Sequence, residues 1–212
     1  MRTDRLDRIT DGGVIAILRG GARDDTVAVA DAVGDAGVTA LEVTADTPNA
    51  MSAIEAIADR ADDASVGAGT VLDAETARAA QLAGAEFLVT PTVNRDVIRT
   101  ANRYGTPIAA GAYTPTEAIE AFEAGADFVK VFPAKTGGPA HVAALGGPLS
   151  QVPLVPTGGV TADDAGAYVE AGAAAVGVGG AIVDHDAIEA GAYDRIAADA
   201  RAVVEAVSAA RE

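Results

Sequence analysis

Eight short apolar runs, separated by amphipathic segments rich in alanine, predict an α/β chain folded as a (β/α)8 TIM barrel with a short N-terminal helix. Regular alternation of strand and helix predicts parallel strands joined by right-handed crossovers. An open doubly wound sheet would also alternate, but eight evenly spaced units favour a closed barrel. Since no linker or low-complexity segment divides the sequence, we expect residues 1–212 to form a single domain.

The predicted elements follow one another at short intervals. Residues 2–11 are expected to form a helix that covers the bottom of the barrel. The segments between the apolar runs are about 12 to 18 residues long and place apolar residues at helical spacing, as in Asp24–Ala30 and Asn49–Ile54. The predicted strands are Val14–Leu18, Ala40–Val43, Ser65–Gly69, Phe87–Val89, Pro107–Ala110, Phe128–Phe132, Leu154–Pro156 and Ala175–Val178.

A recurring Ala-Gly pair supports this reading. Four Ala-Gly pairs that are followed by Ala or Val have the glycines Gly37, Gly84, Gly125 and Gly172, at intervals of 47, 41 and 47 residues. Each glycine is predicted to end a helix just before strand two, four, six or eight, where glycine relieves the left-handed conformation of a helix C-cap. Each interval therefore matches about two strand–helix units of the fold.

Composition and charge exclude several classes of function. The net charge of −16 disfavours binding to nucleic acid or to anionic membranes, because phosphates would be repelled. No apolar run is long enough for a transmembrane helix, and the charged N-terminus lacks the apolar stretch of a signal peptide, so the expected location is the cytoplasm. With no cysteine and only two histidines, disulfides and thiolate metal sites are excluded and a multi-histidine metal site is disfavoured.

The basic residues are unevenly divided. Thirteen are arginines, and the only lysines are Lys130 and Lys135. An acidic, lysine-poor chain resembles proteins from organisms that keep molar salt in the cytoplasm, although ordinary variation in composition is the alternative.

The most informative segment for chemistry is Phe128–Phe132. Side chains alternate across a strand, so Val129 and Val131 are expected to face the helices while Lys130 points into the barrel between phenylalanines. The alternative is a lysine whose stem packs while its amine reaches solvent. Burial favours the neutral form of an amine, and a neutral amine can attack a carbonyl carbon. Lys135, beside Gly137, is expected to be a solvated loop residue.

Glu42 is the second unusual strand residue. It shares the inward face of its strand with Thr44. Strands two and six lie opposite each other in an eight-stranded barrel and contribute to the same interior layers, so Glu42 and Lys130 are expected to approach each other near the top. A carboxylate beside an amine suits acid–base chemistry. The alternative is a structural salt bridge between Glu42 and Arg19.

Glycine pairs end the last two strands, within Pro156–Val160 and Val178–Ala181. Glycine lets backbone N–H groups close on a ligand, and the loops after strands seven and eight form the recurrent phosphate site of this fold. The end of strand three, Gly67–Val71, offers a threonine hydroxyl for a carboxylate, and strand one ends with Arg19, a candidate carboxylate ligand. Ordinary turn chemistry is the alternative for these loops.

Taken together, these motifs resemble the family of 2-keto-3-deoxy-6-phosphogluconate (KDPG/KHG) aldolases, class I aldolases of the Entner–Doudoroff pathway. The resemblance covers most of the chain. The matching stretches are Ala16–Gly20, Leu41–Thr44, Gly67–Leu72, Phe128–Pro133, Gly146–Pro148 and Pro156–Val160.

The resemblance implies that Lys130 forms a Schiff base and that Glu42 is the general acid/base. It implies a phosphorylated keto-acid substrate cleaved to pyruvate and glyceraldehyde 3-phosphate, no metal or other cofactor, and a homotrimer. The implied substrate-binding residues are Arg19, Thr70, Pro91 and Phe132 at the pyruvate end, Gly158, Gly159, Gly179 and Gly180 at the phosphate, and Thr157 beside them.

One position departs from the family pattern. Many members carry an arginine where this chain has Asp46, so that contact with an anion is expected to be lost. Sister aldolases that act on the C4 epimer, 2-keto-3-deoxy-6-phosphogalactonate, or on 4-hydroxy-2-oxoglutarate stay open as alternatives. So does a barrel synthase or isomerase that grips phosphate at strands seven and eight, although it would not need a lysine inside strand six.

Overall fold

A computed structural model of the chain describes residues 2–60 and 64–212. Within them, parallel strands alternate with helices as predicted. The strands are β1 (Val14–Leu18), β2 (Ala40–Thr44), β3 (Ser65–Gly69), β4 (Phe87–Thr90), β5 (Ile108–Ala112), β6 (Phe128–Val131), β7 (Leu154–Pro156) and β8 (Val176–Val178). They form one sheet in the order β7-β6-β5-β4-β3-β2-β1-β8. An isolated bridge between Thr157 and Gly177 brings the two ends together, which confirms the (β/α)8 barrel.

The helices surround this sheet and cover its lower opening. Ile9 and Leu6 of the first helix pack in the same cluster as the barrel-interior residues Ile15 and Phe128, which confirms the expected bottom cover. The helices are α1 (Arg2–Gly12), α2 (Arg23–Asp35), α3 (Ala50–Ala58), α4 (Ala74–Leu82), α5 (Arg95–Arg103), α6 (Pro115–Glu123), α7 (Ala134–Gly146), α8 (Ala162–Glu170), α9 (His185–Glu189) and α10 (Tyr193–Ala209). Among the described residues, none of these helices combines the length and apolarity needed to cross a bilayer.

β1, β3 and β7 have the predicted bounds, and the bounds of the other five strands differ from the predicted ones by one or two residues. β5 begins at Ile108, after a proline that has no N–H to donate to the ladder, and continues to Ala112 because that residue pairs with Val131. Likewise, β2 includes Thr44, which pairs with Gly69. The remaining differences are that β4 includes Thr90, β6 stops before Phe132 and β8 starts after Ala175.

Two buried clusters lie on opposite sides of the sheet. Val129 and Val131 pack in the cluster between sheet and helices, whereas Phe128 belongs to the cluster inside the barrel, as the alternation in β6 predicted. A glycine in one strand of the interior adjoins an aromatic ring from the next strand. A Cβ atom on Gly67 would lie 2.5 Å from the Phe87 ring, so the glycine in β3 makes space for the phenylalanine of β4.

The recurring Ala-Gly pairs mark helix ends, as predicted. The four glycines follow α2, α4, α6 and α8, and all have a left-handed backbone: φ is +95° at Gly37, +101° at Gly84, +97° at Gly125 and +95° at Gly172. The chain thus leaves every second outer helix in the same way before it enters an even-numbered strand.

Candidate active site

The centre of the site is a buried amine and carboxylate near the upper end of the barrel. Lys130 Nζ lies 3.8 Å from Glu42 Oε1, with side chains only 8% and 2% exposed. This distance exceeds a direct hydrogen bond, and Glu42 Oε1 is buried without a hydrogen-bond partner among the described residues. A buried carboxylate oxygen without a partner is costly, so the arrangement leaves an acceptor ready for a ligand proton or a water.

Glycine in β3 creates the space that the Glu42 carboxylate occupies. A Cβ atom on Gly69 would overlap that carboxylate and would lie 2.6 Å from the Glu42 Cγ. Gly69 pairs with Thr44 in the neighbouring strand, and this pairing fixes the position of the space. The space is open because glycine has no side chain. The role of this glycine in seating Glu42 was not predicted from the sequence.

Apolar groups flank the amine at the mouth. Lys130 Nζ lies 5.5 Å from the centre of the Phe132 ring, and Phe132 is 41% exposed just above the end of β6. Pro91 follows β4, and its backbone lies against Gly111 of β5, where a side chain would collide with it. The lysine amine therefore lies beside an aromatic ring at the mouth of the barrel, and the assignment of Phe132 and Pro91 to the pyruvate end stays a prediction.

Arg19 has a different partner from the one considered in the sequence. Its Nη1 donates to Asp46 Oδ2 at 2.5 Å and its Nη2 donates to Thr70 Oγ1 at 2.9 Å. The suggested salt bridge between Arg19 and Glu42 is therefore wrong. Arg19 is half exposed at the rim, where the nearby Asp46 carboxylate meets it, whereas Glu42 lies deeper inside.

Thr70 has an unusual backbone conformation for its residue type. Its φ is +55°, in the left-handed region that β-branched residues rarely adopt. Such a conformation costs on the order of 1–3 kcal/mol and is concentrated at ligand sites. The cost supports the assignment of Thr70 to the candidate carboxylate end, together with Arg19.

The loops after β7 and β8 form the second end of the site. Gly158 and Gly159 are consecutive left-handed residues, with φ of +94° and +84°, directly after the buried Thr157. The first turn of α8 already contains acidic residues, and Asp164 accepts the Thr161 N–H at 2.7 Å, so the glycine turn rather than the helix terminus is the candidate anion contact.

The loop after β8 is compact, and Gly180 within it is open. Gly179 O accepts the N–H groups of Ile182 and Val183, which folds the loop over the strand end. A Cβ atom on Gly180 would have no neighbour within 4 Å in the described structure. The two glycine pairs therefore stand at adjacent strand ends, and their role as a phosphate site stays a prediction.

The prediction that Lys135 is a loop residue is wrong. It lies in the first turn of α7, and its exposed side chain runs across Gly159, where a Cβ atom would lie 2.6 Å from the lysine Cδ. The glycines that suggested a loop stand at a break inside this helix instead. Gly138 has φ +65° and ψ −170°, and Pro139 starts the second part, where its missing N–H is tolerated.

The arrangement offers a candidate nucleophile, a candidate proton acceptor and two candidate anion-binding ends, and the chemistry it suits is addition of an amine to a carbonyl. In the described part of the chain, no group of three or more histidine and acidic side chains is placed to hold a metal ion.

Comparison with known proteins gives the family. Residues 6–198 match the family model described as KDPG and KHG aldolase. The chain is similar to 2-dehydro-3-deoxy-6-phosphogalactonate aldolase of Escherichia coli (strain K12), with 39% identity over 91% of this chain and 93% of the relative. It is also similar to 2-dehydro-3-deoxy-phosphogluconate aldolase of Treponema pallidum (strain Nichols), with 37% identity over 92% of each chain.

A solved structure agrees in fold and in length. KDPG aldolase from Legionella pneumophila, with pyruvate captured at low pH as a covalent carbinolamine intermediate, superposes with a TM-score of 0.86. The identity is 29%, and the match covers 96% of this chain and 99% of that one. With a family model matched over nearly its whole length, a barrel of the same architecture and a buried lysine facing a carboxylate, the chain belongs to the KDPG and KHG aldolase family.

Proposed function

We propose that this protein is a class I aldolase that cleaves 2-keto-3-deoxy-6-phosphogluconate to pyruvate and glyceraldehyde 3-phosphate. The observation that carries the proposal is the buried Lys130 amine inside the barrel, 3.8 Å from the Glu42 carboxylate. A lysine with a purely structural role is expected to extend its amine into solvent. Lys130 instead faces inward, beside a carboxylate oxygen that lacks a hydrogen bond.

The proposed reaction uses these two side chains in sequence. Lys130 Nζ adds to the C2 ketone, and loss of the carbonyl oxygen as water gives an iminium. Glu42, through a water, accepts the proton of the C4 hydroxyl. The C3–C4 electron pair then moves toward the iminium, so that C4 leaves as the aldehyde and an enamine remains. Return of the proton to C3 and hydrolysis release pyruvate and regenerate the amine.

The substrate ends are assigned to the two polar regions. Arg19 and Thr70 bind the carboxylate next to the ketone, with Pro91 and Phe132 walling the pyruvate methyl group. Gly158 and Gly159, with Thr157, Gly179 and Gly180, bind the phosphate through backbone N–H groups, which accommodate an anion without basic side chains. No step requires a metal or another cofactor.

We also propose a homotrimer that works in the cytoplasm of an organism with high internal salt. The homotrimer rests on the family resemblance, and the cytoplasmic location rests on the lack of an apolar run long enough to span a membrane. The third rests on the charge of −16 and the presence of only two lysines.

The decisive test is trapping of the imine. Pyruvate with borohydride should inactivate the enzyme irreversibly, and peptide mass spectrometry should find the reduced adduct on Lys130. Lys130→Ala should abolish both adduct and cleavage. Lys135→Ala is the matched control, since it removes the other lysine of the chain and should leave the adduct in place. An adduct on Lys135, or cleavage that survives in Lys130→Ala, contradicts the proposal.

A second candidate is the aldolase for the C4 epimer, because the Escherichia coli relative at 39% identity is a phosphogalactonate aldolase. The values of kcat/KM for the two phosphorylated epimers and for 4-hydroxy-2-oxoglutarate, measured side by side, decide between them. Higher kcat/KM for the galactonate-derived compound would replace the proposed substrate while leaving the Schiff-base chemistry intact.

A further inference from the structure

We propose that Asp46 is a positioning residue that holds the Arg19 guanidinium in place for the substrate carboxylate; this inference rests on the function proposed above. Asp46 occupies the position at which many family members carry an arginine, and the sequence alone suggested only a lost contact. The structure shows instead that its carboxylate binds Arg19 Nη1 at 2.5 Å.

The two partners of Arg19 fix its guanidinium from two strand ends. Asp46 follows β2 and Thr70 follows β3, and each accepts a hydrogen bond from one terminal nitrogen of Arg19, which follows β1. These two hydrogen bonds use two of the five N–H donors of a guanidinium, which leaves donors for a ligand. The Thr70 hydroxyl accepts from Arg19, so its own hydrogen can be donated to the same ligand.

The backbone beneath the pair is also held in place. The Gly20 N–H, directly after Arg19, donates to Thr47 Oγ1 at 2.9 Å, and that hydroxyl lies 2.9 Å from Thr44 Oγ1 at the end of β2. Thr44 and Thr47 are buried. The loops that hold Arg19 and Asp46 are therefore tied together, and the remaining freedom is that of the long arginine side chain.

Asp46 restricts the motion of the Arg19 side chain. Arg19 is half exposed, and without a partner its side chain would sample many rotamers that carboxylate binding would then have to restrict. Freezing one such side chain in advance improves binding by about twofold to tenfold. The negative charge of Asp46 acts in the opposite direction by repelling the substrate. Molar salt shortens the screening length to about 3 Å, so the positioning effect dominates under that condition.

The test is the half-saturating concentration of pyruvate for borohydride trapping on Lys130, measured in 1 M KCl. Asp46→Ala should raise it about threefold to tenfold, while kcat at saturating substrate changes less than twofold. Asp46→Asn, which keeps an acceptor oxygen, should recover part of the loss. Asp24→Asn is the matched control: it removes another carboxylate paired with an arginine, at 2.8 Å from Arg23, and should change nothing.

A double-mutant cycle separates positioning from a general structural effect. If Asp46 acts through Arg19, then Asp46→Ala should add less than twofold in an Arg19→Ala background. An equal effect in both backgrounds, or unchanged or tighter pyruvate binding in Asp46→Ala alone, overturns the inference while leaving the proposed function standing. Absence of any adduct on Lys130 in the unmodified enzyme overturns the proposed function and this inference with it.

Discussion

Alanine in place of Gly69 should inactivate the enzyme by displacing Glu42. The added Cβ atom would overlap the carboxylate and would lie 2.6 Å from Cγ, whereas ordinary contacts between such atoms are about 3.5 Å or longer. The carboxylate must therefore move by about 1 Å or more from its place beside Lys130. Because a misplacement of about 1 Å can cost 10²-fold in rate, kcat should fall by about two orders of magnitude.

The protein should stay folded despite the loss of activity. Overpacking a well-filled interior with one methyl group costs about 1–3 kcal/mol, and Gly69 has an ordinary backbone conformation that alanine adopts without strain. The folded protein should therefore remain available for assay. Glu42→Gln provides the reference, since loss of a general acid/base typically costs about 10²- to 10⁴-fold.

The assay is steady-state cleavage coupled to pyruvate detection, with the free energy of unfolding measured in parallel. Gly34→Ala is the control, because a Cβ atom there meets nothing within 4 Å in the described structure and alanine suits a helix. It should retain full activity and gain about 0.5–1 kcal/mol. Activity of folded Gly69→Ala within threefold of the unmodified enzyme would refute the link between this space and Glu42.

Three further predictions follow from other parts of the structure. Gly159→Val should mainly raise KM for the phosphorylated substrate, because φ is +84° and the Lys135 side chain fills the space; an equal loss with unphosphorylated 2-keto-3-deoxygluconate would remove this glycine from the phosphate site. Hydrogen bonds from the N–H groups of Thr114 and Tyr113 lower the pKa of the Glu117 carboxyl. The contribution of Glu117 to stability is thus present above the unfolded-state pKa near 4.5 and is lost as pH falls through the lower folded-state pKa. In Glu117→Gln, the free energy of unfolding should therefore depend less steeply on pH in the acid range. Because of the net charge of −16, the midpoint of unfolding should be lower in buffers with less than about 0.1 M salt and higher in molar KCl. A midpoint that does not depend on salt would contradict the proposed adaptation.

The sequence carried enough information for the barrel and for the facing of Lys130 and Glu42. Both follow from periodicity: strand alternation sends Lys130 inward, and the opposition of strands two and six brings Glu42 to it. The assignment of residues 1–212 to a single domain stays a prediction.

What the sequence did not predict depends on side-chain placement in loops. Arg19 was considered as a partner for Glu42, yet it meets Asp46, because long side chains at loop ends choose partners by rotamer and not by residue spacing. Lys135 was placed in a loop because adjacent glycines signal one, whereas Gly138, with its left-handed backbone, joins two short helical pieces. The seating of Glu42 over Gly69 required knowing the register between β2 and β3.

The way the barrel closes has a consequence for its cooperativity. The strands from β1 to β7 each pair with the next along the chain, and β8 pairs with β1, all through continuous ladders. β7, in contrast, meets β8 through the isolated bridge at Thr157 and Gly177. The two glycine pairs lie at the ends of β7 and β8. The pairing of the barrel strands is therefore weakest between β7 and β8, beside the proposed phosphate site. Local opening of the barrel is expected to start at this junction. An anion that contacts both loops would connect the ends of β7 and β8. Anion binding and closure of the barrel are therefore linked, so that each favours the other.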